Sequence, residues 1–115
     1  MSKLIDEIRF TQELISKPSV TPKDLGAMSV VTKHLKKLGF NCKLMSFQKK
    51  GTEKIINLYA KYGTKSPNLC FAGHTDVVPA GDLTSWTSNP FKAKIKNGYL
   101  FGRGCLLYTS PSPRD

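Results

Sequence analysis

The chain has 115 residues, 39% hydrophobic and 23% charged, with a formal charge of +10 and three cysteines. A chain of this length holds one domain at most, and the composition fits an ordinary globular protein rather than a disordered one. No apolar run approaches the length of a membrane span, and Cys42, Cys70 and Cys105 contain no CxxC spacing. That pattern argues against a disulfide framework and a cysteine zinc site, and it suits a reducing cytoplasm.

The N-terminus carries Asp6 and Glu7 soon after Leu4 and Ile5, so no unbroken apolar leader is expected. From Ser2 to Lys17, Leu4, Ile5, Ile8, Leu14 and Ile15 alternate with charges at helical spacing, and Pro18 closes that helix. Thr21-Pro22-Lys23-Asp24 reads as the next helix start, with Thr21 the N-cap and Pro22 at the first helical position. Met28, Val31, Leu35 and Leu38 form its buried stripe, His34 lies at the solvated edge, and Gly39 stops it. Cys42 to Phe47 and Ile55 to Tyr62 are rich in strand formers and are separated by Lys49-Lys50-Gly51-Thr52. Asn57 is expected to be satisfied within that sheet. Leu69 to Ala72 reads as a short strand buried on both faces. A loop follows, and then a hairpin of Phe91–Lys96 and Tyr99–Phe101 across Asn97-Gly98.

The charge balance by itself raises nucleic-acid or anionic-membrane binding. The lysines are nevertheless scattered, with Lys33, Lys36 and Lys37 on one helix and Lys49 and Lys50 at a turn. Lys92, Lys94 and Lys96 alternate on one strand face. No arginine-aromatic interleaving suited to base stacking is present. The basicity therefore reads as solvated surface, with no nucleic-acid or membrane partner expected. A small basic nucleic-acid module is the minor alternative.

Gly73-His74-Thr75-Asp76 carries the chemistry. Open α/β sheets bind ligands beyond the carboxyl ends of their strands, and His74 sits at such a place. Residues two apart in extended backbone point the same way, so Asp76 can reach the imidazole. A carboxylate on one ring nitrogen fixes the tautomer and leaves the other nitrogen for a metal. Taken alone, the same tetrapeptide also suits a hydrogen-bonded loop pair.

The surrounding residues are more specific. Pro18-Ser19-Val20-Thr21-Pro22, Gly73-His74-Thr75-Asp76-Val77-Val78-Pro79, Gly81-Asp82, Trp86, Pro90-Phe91 and Gly98-Tyr99-Leu100-Phe101-Gly102-Arg103-Gly104 occur in register over residues 4–104. In this order they resemble the N-terminal part of an M20-type metallohydrolase. The resemblance implies an α/β, zinc-exopeptidase-like catalytic domain with helices packed on a mixed sheet. It also implies a cytoplasmic, usually homodimeric enzyme with two divalent metal ions, zinc or cobalt. The implied reaction is hydrolysis of N-succinyl-LL-2,6-diaminopimelate to succinate and LL-2,6-diaminopimelate, in lysine and diaminopimelate biosynthesis. Acetylornithine deacetylase or another M20 deacylase or dipeptidase is the alternative. His74 matches the family's first metal-ligand histidine, and Asp76 matches its active-site aspartate, which orients that histidine.

After Gly104 the match to the family motif stops. The family's metal-bridging aspartate falls in register at Leu107, and its glutamate pair, other carboxylate ligand and second histidine have no counterpart in the chain. The expectation is that 1–104 form an incomplete catalytic domain, that 105–115 are non-native read-through, and that the chain alone is inactive. Trp86 and Phe91 are expected as loop anchors. Arg103 is expected either to order the metal loop or to form an ordinary salt bridge.

Overall fold

A computed structural model describes residues 6–105. The start of the expected first helix and the segment after Cys105, read above as read-through, lie outside the described residues. Helix α1 spans Glu7–Ile15 and is capped by Asp6, whose side chain accepts from the Arg9 amide. A carboxylate there satisfies one of the unpaired N–H groups of the first turn and complements the helix dipole.

Helix α2 spans Ala27–Lys37, starting later than Thr21-Pro22 suggested. Its N-cap is Gly26 at φ 97°, and Asp24 does the side-chain work. Oδ1 of Asp24 accepts from the Met28 amide at 2.9 Å and Oδ2 from the Gly26 amide at 3.1 Å. Thr21 does not cap this helix because its hydroxyl is engaged elsewhere. Gly39, at φ 89°, stops the helix as expected.

Strands β1 (Asn41–Phe47) and β2 (Ile55–Lys61) form an antiparallel pair with Leu44 opposite Leu58. In β2, Ile56, Leu58 and Ala60 are half-buried and alternate with exposed Ile55, Asn57, Tyr59 and Lys61. Helix α2 packs on this pair and α1 packs on α2. A 3-10 turn at Leu83–Ser85 leads to β3 (Lys94–Lys96) and β4 (Tyr99–Phe101). Asn97 at φ 51° and Gly98 at φ 79° make the tight hairpin turn that the dipeptide predicts.

The core is small: Ile15, Ala27, Val30 and Ala93 are buried, where α1 meets α2 and the base of the hairpin. Gln12 on α1 donates to the Ala93 carbonyl at 3.0 Å, tying helix and hairpin together.

Two expectations need correction. Leu69 to Ala72 forms no strand, and Leu69 and Phe71 are 79% and 90% exposed. A strand buried on both faces needs hydrogen-bonded neighbours at both edges, and no described residue pairs with this run. The mixed sheet is also not formed among the described residues. Both two-stranded sheets are antiparallel, and the parallel component is the single bridge between Val20 and Val77.

Candidate active site

That bridge builds the site. The Val77 amide donates to the Ser19 carbonyl at 3.0 Å, and the Thr21 amide donates to the Val77 carbonyl at 3.4 Å. Ser19, buried at 3% exposure, adds its hydroxyl to the Thr75 carbonyl at 2.7 Å. The segment carrying His74 and Asp76 belongs to no ladder, so these bonds from residues 19–21 are what fix it.

Nδ1 of His74 stands 2.9 Å from Oδ1 of Asp76 and 3.1 Å from the Asp76 carbonyl oxygen. Both acceptors lack a proton, so the network assigns the ring hydrogen to Nδ1. Nε2 then carries the lone pair and has no hydrogen-bond partner among the described residues. Oδ2 of Asp76 accepts from the Thr21 hydroxyl at 2.7 Å. The Thr21 hydroxyl does most to hold the Asp76 carboxyl below its ordinary value of 3.8; burial pushes the other way, and the bond to His74 adds a smaller pull downward. His74 and Asp76 meet as their spacing predicts. Thr21 is not legible as a site residue, because a Thr-Pro step before a polar turn is also the signature of a helix start.

His74 and Asp76 are 63% and 56% exposed and border a cavity of about 400 Å³. Leu14, Ile15, Val77 and Phe91 supply apolar wall, and Lys17 and Arg103 bring cationic side chains. A second cavity of about 140 Å³ lies against the same dyad, with Asn57 on its wall. Asn57 is therefore an exposed residue beside the site rather than one absorbed by the sheet.

The donor set fits one metal ligand and its support. Nε2 of His74 has the right chemistry, and both Asp76 oxygens already accept hydrogen bonds, which suits an orienting role. Among the described residues no three His, Cys, Asp or Glu side chains cluster. His34 lies elsewhere, and the expectation of a solvated edge is corrected: its Nε2 meets Oε2 of Glu13 at 3.1 Å and its ring packs on Phe10. It faces α1 because α1 offers both a carboxylate and an aromatic ring.

Arg103 also lines the cavity of about 400 Å³, and it packs against Trp86. The indole Nε1 donates to the Ala80 carbonyl at 2.9 Å, and Nη2 of Arg103 donates to the same oxygen at 3.3 Å. The guanidinium lies 5.0 Å from the indole ring centroid. Arg103 thus orders the loop before Trp86 by stacking and hydrogen bonding. Trp86 anchors its loop as expected, and Phe91 lines the cavity beside the dyad.

Residues 70–109 match the family model described as Peptidase family M20/M25/M40. The chain is 55% identical over 102 residues to the succinyl-diaminopimelate desuccinylase of Caulobacter sp. (strain K31), covering 89% of this chain and 25% of that protein. It is 54% identical over 99 residues to the protein of the same name from Rhodospirillum centenum, covering 86% and 26%. With the same-named protein of Wolbachia pipientis it shares 52% identity over 100 residues, covering 87% and 24%. The chain thus spans about a quarter of the length of the curated relatives it matches. Similarity to the desuccinylases runs along most of the chain, and the segment that carries His74 and Asp76 matches peptidase family M20/M25/M40.

Proposed function

We propose that this chain supplies part of the catalytic domain of a metal-dependent amide hydrolase. Its substrate would be N-succinyl-LL-2,6-diaminopimelate and its products succinate and LL-2,6-diaminopimelate. The observation that carries the reading is the His74–Asp76 pair, with a 2.9 Å bond to Nδ1 that leaves Nε2 available. The names of the relatives supply the substrate class.

In this reading His74 is a metal ligand and Asp76 holds its ring in the ligating tautomer. Two divalent ions, zinc or cobalt, would supply Lewis-acid polarisation of the scissile amide carbonyl. Residues 1–104 contribute one imidazole to that centre, and the remaining ligands and the general base belong to sequence this chain does not contain. The complete enzyme is proposed to be cytoplasmic and homodimeric, acting on a small molecule without nucleic-acid or membrane partners.

The test is an assay of a complete-length protein carrying this segment, with zinc or cobalt, on N-succinyl-LL-2,6-diaminopimelate and on N-acetylornithine. Preference for the first, abolished by His74→Ala, is expected. Preference for acetylornithine would assign the sister deacetylase activity instead. The 115-residue chain alone is expected to hydrolyse neither and to lose zinc on dialysis, since one imidazole is far short of a four-coordinate site.

A further inference from the structure

We propose that Thr21 is a positioning residue for His74, acting through the Asp76 carboxylate. The geometry stands by itself, and its purpose rests on the reading of His74 as a metal ligand.

A carboxylate that is more than half exposed turns easily about its last torsion, because that torsion has broad wells. One contact to an equally exposed imidazole would not hold both groups. Asp76 has two contacts: Oδ1 to Nδ1 of His74 at 2.9 Å, and Oδ2 to the Thr21 hydroxyl at 2.7 Å. Hydrogen bonds to an ionised acceptor are short and roughly twice as strong as neutral ones. With both oxygens engaged the carboxylate plane is set, and the imidazole plane follows it.

Backbone pairing explains why Thr21 supplies the hydroxyl. A parallel bridge sets Val20 beside Val77. That pairing brings the two segments close enough for the Thr21 hydroxyl to reach Oδ2 of Asp76. The amide of Thr21 bonds the Val77 carbonyl, one residue past Asp76, which fixes the distance the hydroxyl must reach. Threonine is stiff at χ1, so the hydroxyl is presented with little entropy left to lose. Ser19 and Thr21 therefore divide the work. Ser19 clamps the Thr75 backbone, and Thr21 sets the side chain that touches the histidine.

The experiment is long-range ¹⁵N–¹H correlation spectroscopy of His74 in the 115-residue chain, at about pH 8, above the ordinary imidazole range. The unmodified chain and Thr21→Ser are expected to show the proton on Nδ1. Thr21→Val, which keeps the branched shape without the hydroxyl, is expected to shift His74 toward the Nε2–H tautomer. Ser19→Ala is expected to keep the Nδ1–H signature, because it loosens the backbone but leaves the hydroxyl in place. A folded Thr21→Val chain with the unmodified His74 signature would overturn the proposal. A proton on Nε2 in the unmodified chain would overturn it too, whether or not any variant folds. If the Nδ1–H pattern follows the hydroxyl but the complete-length protein binds no metal through His74, the ligand reading fails and the positioning relationship stands.

Discussion

Nε2 of His34 on α2 lies 3.1 Å from Oε2 of Glu13 on α1, and this bond ties the two helices together beside the small core. The imidazole holds the Glu13 carboxyl below its ordinary value of 4.5, with Lys33 and Lys17 adding smaller pulls in the same direction. A depressed carboxyl contributes stability above its unfolded value and loses it as pH falls through the folded one. The stability difference between the unmodified chain and His34→Ala should therefore shrink as pH falls below 4.5. Denaturant titrations on both sides of that value check this. A difference that stays constant across the range would show that the pair contributes through packing on Phe10 alone.

Gly102 lies against α1. A Cβ there would sit 2.7 Å from Cγ2 of Ile15 and 3.2 Å from the Pro90 carbonyl oxygen. Ile15 and Pro90 are both buried, so neither has room to yield. Gly102→Ala should destabilise the chain by about 1–3 kcal/mol. A thermal or chemical unfolding midpoint equal to that of the unmodified chain would show that this contact relaxes freely.

Trp86 is the only tryptophan in the chain, so its fluorescence reports on the Ala80 loop alone. Lysine keeps the charge of Arg103 but cannot both lie flat on the indole and donate to the Ala80 carbonyl. Arg103→Lys should make Trp86 more accessible to a neutral quencher and cost about 0.5–1 kcal/mol. Unchanged quenching would mean that the Trp86 hydrogen bond to Ala80 holds the loop unaided.

Phe71, at 90% exposure within the apolar run from Leu69 to Ala72, has no strand partner among the described residues, and exposed apolar runs of this kind recruit other chains. Phe71→Lys should raise the soluble fraction of the chain and leave its unfolding midpoint unchanged. Equal solubility of the two chains would place the aggregation hazard elsewhere.

The elements legible in the sequence are those set by neighbours in sequence. Asn97-Gly98 can adopt the turn that β3 and β4 need, and Gly39 can adopt the helix stop, so local chemistry decided both. Thr21 was misread because its partner is distant: a hydroxyl before a helix normally caps it, but the Val20–Val77 bridge directs this one to Asp76. His34 was misread for the same reason, since Glu13 belongs to a different helix. The Leu69 to Ala72 run has strand composition but no described partner, and composition cannot supply the neighbours that a buried strand requires.

The Val20–Val77 bridge also determines when His74 becomes oriented as the chain folds. Helix α2 and the β1–β2 pair lie between those two residues and form from contacts close in sequence, which assemble quickly. Thr21 and Asp76 are 55 residues apart, and closing a loop of that size costs about 3.5 kcal/mol in its length-dependent part. The hydroxyl therefore reaches the carboxylate only after the intervening elements have taken up the slack. Before closure the imidazole turns freely like that of any short peptide, and after closure it is held in one orientation.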